Sequence, residues 1–291
     1  MLNRRAFLQG AGAVGAAALA GNVCKAEDLR IYGRTIRDRL WMWGHHADCC
    51  LTKSLHGLPV GRRIDQAAAC TWMGIPNCCI IRWCGLPKPP FDDYMRQFAP
   101  MRRLAWSITD GAPGTFDDKV KMAFEMAEKH SKITTFFLDD YFSAPSFRQG
   151  SDRIRATAEA IHAKGRELAV VLYSQDGVKP EYREELSLCD TISFWVWKGK
   201  DLSTQERDLQ RAREFIGPDK KILLGLYMWD FGQARAIEPA AMRRQLDLAH
   251  RLLKNGTLTG LIFHSTFICD LGLEAVDISR RWIAEHGEET V

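Results

Sequence analysis

The chain has no second apolar run of about twenty residues beyond its first twenty, so nothing past that point is long enough to span a bilayer as a helix. It also has little excess charge. Forty Lys and Arg against 36 Asp and Glu leave +4. Residues 1–20 hold two arginines and no acid, so the remainder carries +2. That near-balance offers no footprint for nucleic acid. A usable dinucleotide fingerprint is missing too. Gly10-Ala11-Gly12-Ala13-Val14-Gly15 fits the letters, but no strand precedes it and no βαβ unit surrounds it. No phosphate loop follows the first strand candidate, as an open doubly wound sheet would require.

What stands at the N-terminus is an address. Asn3-Arg4-Arg5-Ala6-Phe7-Leu8-Gln9 resembles the twin-arginine export signal, followed by a mild Ala/Gly stretch and a small-residue cleavage site at Ala18-Leu19-Ala20. The resemblance implies a chain exported already folded to the periplasm or beyond, with the twin-arginine machinery as its transient partner. Residues 1–20 are then a signal peptide, 21–39 a lead-in, and 40–291 one large domain with a single core. Nine cysteines in such a chain invite disulfides, although the count is odd. Cys49-Cys50 and Cys78-Cys79, with Cys70 and Cys84 nearby, suggest one or two bridges tying the first two strand–helix units. Cys189 and Cys269, in apolar surroundings, read as buried free thiols.

Past residue 39 short apolar runs alternate with amphipathic stretches. The strand candidates are residues 40–44, 78–83, 103–109, 133–142, 167–174, 191–197, 221–230 and 258–267. Helical patterns fall at 63–73, 91–101, 116–131, 151–164, 181–188, 203–216, 240–253 and 274–286. Thr115 and Ser203 open two helices as capping boxes, and Gly165, Gly217 and Gly256 follow helix ends. The apolar runs are continuous rather than alternating, as a parallel sheet covered by helices requires. Eight such units in about 270 residues predict a single (β/α)8 TIM barrel.

A barrel gives position a meaning, because sites form at the C-terminal ends of its strands. Those ends carry His45, His46 and Asp48; Arg82 and Trp83; Ser107, Thr109 and Asp110; Asp139, Asp140 and Tyr141. They continue with Tyr173, Ser174, Gln175 and Asp176; Trp195, Trp197 and Lys198; Tyr227, Trp229 and Asp230; His264 and Ser265. Rings that stack on pyranose faces, mixed with acids that bind hydroxyls, predict a carbohydrate substrate. Adjacent Asp139 and Asp140 repel each other and lose solvation at a strand end, so one of them holds a proton near neutral pH. The pair can serve as acid and base for glycosidic cleavage. Asp230 is the candidate nucleophile of a direct displacement. His45, Arg82, Tyr141, Tyr173, Trp195, Trp197, Tyr227, Trp229 and His264 are the candidate substrate contacts. Arg82 could instead pair with Asp110 or Asp139, and about half of the tryptophans at 41, 43, 195, 197 and 229 belong to the core.

The stretch from about 103 to 200 resembles the β-N-acetylglucosaminidase family that includes O-GlcNAcases and bacterial hexosaminidases. The resemblance rests on Leu104-Ala105-Trp106-Ser107-Ile108, the helix with Lys119 and Lys121, Phe137-Leu138-Asp139-Asp140, and Phe194-Trp195-Val196-Trp197-Lys198-Gly199. It implies substrate-assisted hydrolysis, with Asp139 polarising the 2-acetamido group and Asp140 as general acid/base. The chain departs from the family where Lys198 replaces a threonine and where its first strand reads Trp41-Met42-Trp43-Gly44-His45.

No cofactor is expected on this reading. Two alternatives stand beside it. One is a metal-dependent sugar isomerase or hydrolase, with His45, Asp140, Asp230 and His264, or His45, His46, Asp48, Cys49 and Cys50, as conceivable ligands. The other is a barrel that binds carbohydrate without catalysis.

Overall fold

The computed structural model describes residues 33–291; the export-signal motif lies outside them. Eight parallel strands close into a barrel: β1 (Leu40–Gly44), β2 (Asn77–Ile80), β3 (Arg103–Ser107), β4 (Ile133–Leu138), β5 (Glu167–Tyr173), β6 (Thr191–Trp195), β7 (Lys221–Tyr227) and β8 (Gly260–His264). Each pairs with its sequence neighbours, and β1 closes on β8 through Leu40↔Leu261 to Trp43↔His264. Helices follow every strand: α1 (Gln66–Met73), α2 (Asp92–Arg96), α3 (Phe116–Lys129), α4 (Ser151–His162), α5 (Arg183–Leu188), α6 (Gln205–Ile216), α7 (Pro239–Lys254) and α8 (Glu274–His286). The predicted fold class is the observed one.

The strands end earlier than the apolar runs that announce them. β4 stops at Leu138 and β8 at His264, where pairing along the backbone of the neighbouring strands ends. α2 is a single short turn, hemmed in by Pro87, Pro89 and Pro90 before it and Pro100 after it. The capping box at Thr115 is present, reciprocated by Asp118. The one at Ser203 is not: the N-cap of α6 is Thr204, whose hydroxyl makes no capping bond and donates instead to the Asp208 carboxylate at 2.6 Å. Asn255 accepts from the Thr257 amide in the turn that ends α7.

The barrel interior is filled in layers, as its parallel strands require. Trp43, Phe137 and Trp195 meet edge to face near its centre, with ring centroids 5.3–5.4 Å apart. Trp195 fits only because β7 carries Gly225 opposite it; a Cβ there would lie inside the indole. The other end of the barrel is closed by the segment before β1 and by the C-terminus, joined through a Thr35↔Thr290 bridge and the Ile36 amide on the Glu289 carbonyl.

The eight cysteines among the described residues are all free thiols, seven of them buried. The expected bridge between the first two units is therefore not formed. Cys78 and Cys79 lie within β2, where they are wholly buried, with Cys70 on the inner face of α1. Their thiols pack as small apolar groups, and burial raises the Cys70 and Cys79 pKa well above the ordinary range. Cys189 and Cys269 are buried free thiols, as read from their surroundings.

Candidate active site

The site is built around the turn that ends β4. Along this strand, Phe137 points into the barrel against Trp43, while Phe136 points outward against Phe124 of α3. Strict alternation would send Asp139 inward and Asp140 out among the helices. Asp140 instead adopts φ +50°, which for a non-glycine residue is strained. That single turn swings its carboxylate back to the mouth, where Oδ1 accepts a hydrogen bond from the Tyr173 hydroxyl at 2.9 Å. Both acids thus share one face.

The Asp139 backbone is tied to β3 by Thr109, whose hydroxyl donates to the Asp139 carbonyl at 2.7 Å. The Asp139 carboxyl is pushed well above the usual carboxylate range, first by loss of solvation and then by the charge of Asp140. Asp140 is raised for the same first reason, with Asp176 adding repulsion and the Tyr173 hydrogen bond opposing it. Asp176 is itself anchored by the Ser143 hydroxyl at 2.6 Å. The pair therefore retains a proton at pH values where an ordinary aspartate has lost it. Tyr173 and Tyr227 lie beside it, and burial pushes both phenols well above their ordinary pKa, so both stay neutral.

Rings enclose the rest of the mouth. Trp197 stands between Tyr173 and Tyr227, at 6.0 and 5.6 Å, and tilts against Phe231. His264 touches Tyr227 and Phe231 at 4.8 and 4.6 Å, and His45 packs on His264, Trp83 and Phe267. Burial drives the His45 pKa down to about 3 and that of His264 well below its ordinary value, so both imidazoles are neutral. Nδ1 of each is buried without a protein partner. Such atoms are the natural complement of ligand hydroxyls. Trp229 sits at the rim in a two-residue ribbon with Ala236, its indole N–H donating to the His56 carbonyl.

Three predicted contacts and the candidate nucleophile are engaged elsewhere. Tyr141 is fully buried and points to the helix layer, where its hydroxyl donates to Glu185 and accepts from the Gln149 amide. Tyr141 points outward because the φ reversal at Asp140 resets the alternation. Trp195 plugs the barrel below the mouth, its N–H on the Ser193 hydroxyl. Arg82 is buried against Asp110 at 3.3 Å, and Asp110 also pairs with Lys119 at 2.9 Å. Asp230, the candidate nucleophile, accepts from the Gln233 amide and packs on Gly199; it makes no hydrogen bond to the aspartate pair. Its carboxylate closes the turn of the ribbon.

Neither conceivable metal set converges. Among the described residues, His45, Asp140, Asp230 and His264 do not bring three ligand atoms within 4.8 Å of one another, and neither do His45, His46, Asp48, Cys49 and Cys50. His46 points away from His45 and stacks on Tyr94.

The contributor that sequence reading missed is His56. It sits in the long loop after β1 with φ +49°, stacked over Trp83 and edge-on to Trp197 and Phe231. Phe231 and Phe267 were missed as well. Their only signal was adjacency to Asp230 and to the end of β8.

Fold and site together define a class: a (β/α)8 barrel with two adjacent carboxyls of raised pKa and a ring-lined mouth at the C-terminal ends of its strands. No family model matches the chain, and no curated relative does. Among solved structures the fold is similar to a chitinase from Chromobacterium violaceum, with 14% identity over 82% of this chain and 98% of that one and a TM-score of 0.53. It is similar to the spore cortex-lytic enzyme SleL of Bacillus cereus, at 11% identity over 85% and 74% with a TM-score of 0.54. A xylanase-A-amylase inhibitor protein matches at 12% identity over 85% and 98%, with a TM-score of 0.51. At such identities the likeness is one of fold.

Proposed function

We propose that this protein is a glycoside hydrolase that cleaves an O-glycosidic bond by acid/base catalysis from Asp139 and Asp140. The observation that carries the reading is the turn at Asp140, which puts two adjacent carboxyls on one face of the mouth and bonds one to Tyr173. The names chitinase and cortex-lytic enzyme on two of the similar barrels accord with it.

The chemistry we favour is substrate-assisted and acts on an N-acetylhexosaminide. Asp140 gives its proton to the leaving oxygen as the anomeric C–O bond breaks. The acetamido oxygen of the substrate attacks the anomeric carbon, while Asp139 accepts the acetamido N–H and stabilises the cyclic intermediate. Asp140, now anionic, then takes a proton from the water that opens that intermediate. A direct displacement is less supported, because Asp230 is engaged in its own turn. Trp197, Trp229, Tyr173, Tyr227, His45 and His264 are assigned to the sugar, the rings by stacking and the neutral imidazoles by accepting from or donating to hydroxyls.

Turnover of aryl N-acetylhexosaminides and of unsubstituted aryl glycosides tests this, with Asp139→Asn and Asp140→Asn as controls. Activity confined to the N-acetyl substrates and lost in both variants supports it. Full activity in both variants would overturn it. Binding of sugars with no turnover on any substrate points to the non-catalytic reading, which the similarity to an inhibitor protein keeps in play. We further propose export through the twin-arginine pathway, tested by whether Arg4→Lys with Arg5→Lys retains the protein in the cytoplasm.

A further inference from the structure

At the end of the barrel opposite the mouth, three side chains from three segments converge. His250 lies on α7, His286 ends α8, and Glu289 belongs to the C-terminal segment that pairs with residues before β1. Nε2 of His250 is 3.0 Å from Oε2 of Glu289, and Nδ1 of His286 is 2.6 Å from Oε1. The two imidazole centroids are 4.5 Å apart, and Trp282 packs on both rings. All three ligand atoms lie within 4.8 Å of one another.

We propose that His250, His286 and Glu289 form a site for a zinc-like divalent cation that clamps the C-terminal segment to the last two helices. Two imidazole nitrogens and one carboxylate oxygen are a standard zinc donor set, and tetrahedral coordination leaves a fourth position open. A carboxylate facing two imidazole nitrogens receives one proton from each ring; a cation replaces both protons and needs ligand atoms about 3.3 Å apart, given bonds of about 2.0–2.1 Å. The His286–Glu289 and His250–Glu289 spacings of 2.6 and 3.0 Å are shorter than this, so the cation requires the ligands to move apart by about 0.7 and 0.3 Å. The ligands are also positioned from behind. The Glu289 amide is bonded to the His286 carbonyl, and the Glu289 carbonyl receives the Ile36 amide.

The group that opposes the cation is Lys254, whose ammonium lies 3.3 Å from Oε2 of Glu289. It already donates to the Thr290 carbonyl at 2.9 Å, so it can withdraw without losing every partner. Its presence limits affinity and supplies the sharpest test.

Co²⁺ and Zn²⁺ are titrated into the chelator-stripped full chain, with visible absorption for Co²⁺ and melting temperature for Zn²⁺. The expected result is one equivalent bound through nitrogen and oxygen, with a rise in melting temperature. His250→Gln, His286→Gln and Glu289→Gln each weaken binding at least tenfold, and the surface variant His162→Gln leaves it unchanged. Lys254→Gln tightens binding several-fold, a gain that a misfolded variant does not mimic. No stoichiometric binding, a thiolate charge-transfer band in the Co²⁺ spectrum, or binding that Lys254→Gln and Glu289→Gln leave unaltered overturns the proposal.

Discussion

The hydroxyl of Tyr173 donates to Oδ1 of Asp140 at 2.9 Å, across the gap between β5 and the turn that ends β4. This bond favours the charged form of Asp140 and opposes the desolvation that raises its pKa. Tyr173→Phe removes the opposition, so the Asp140 pKa moves further up. On a hydrolysed substrate, the basic limb of the rate profile should shift to higher pH, and kcat should fall about tenfold through lost positioning. An unchanged profile would separate Tyr173 from the acid/base step.

The raised pair also sets the sign of a stability effect. A carboxyl whose folded pKa lies above its unfolded value binds more protons in the folded state, so stability falls as pH rises from the ordinary carboxylate range to the folded pKa. Asp139 and Asp140 are both raised. Asp139→Asn should therefore melt higher than the parent at pH 7, by roughly 2–4 °C if the relief is about 1 kcal/mol. The difference should shrink toward pH 4, where the parent carboxyls are protonated too. Thermal unfolding at the two pH values checks both statements.

Tyr141 neighbours the pair in sequence and faces away from it in space. Tyr141→Phe leaves buried Glu185 without one donor and the Gln149 amide without its acceptor. We expect a loss of about 1–3 kcal/mol in denaturant unfolding, with kcat and KM within twofold of the parent. A large kcat loss in a stable variant would return Tyr141 to the mouth.

His56 touches Trp83, Trp197 and Phe231 from a loop rather than from a strand. His56→Ala removes surface a bound sugar would meet without touching the acids. KM should rise severalfold while kcat stays near the parent value, as read from initial rates over a range of substrate concentrations.

How far the sequence reaches can be seen at the two aspartates. The run Ile133 to Leu138 announces a buried strand by composition alone, and the eightfold recurrence of such runs announces a closed barrel. From there it follows that Asp139 and Asp140 stand at the C-terminal end of β4. The sequence does not say that they face the same way. Period-two alternation predicts the opposite, and only the positive φ of Asp140, held by Tyr173 one strand away, brings them together.

The same limit explains the misplaced residues. Trp195 and Trp197 read alike as aromatic residues on one strand end, yet Gly225 on the adjacent strand makes room for the first inside the barrel. Arg82 had three readings open to it, an acidic sugar, Asp110 or Asp139, and only the closed barrel brings Asp110, 28 positions away, to 3.3 Å from it in the interior. The cysteines near the first two units suggested cross-links, but every thiol among the described residues is free. Hydrophobic periodicity is a local property and determined the strands, the helices and their order. The direction of each side chain beyond a strand end depends on one backbone dihedral and on neighbours brought close only when the barrel shuts. For that reason the tertiary structure alone decided which of the polar and aromatic residues come together at the mouth.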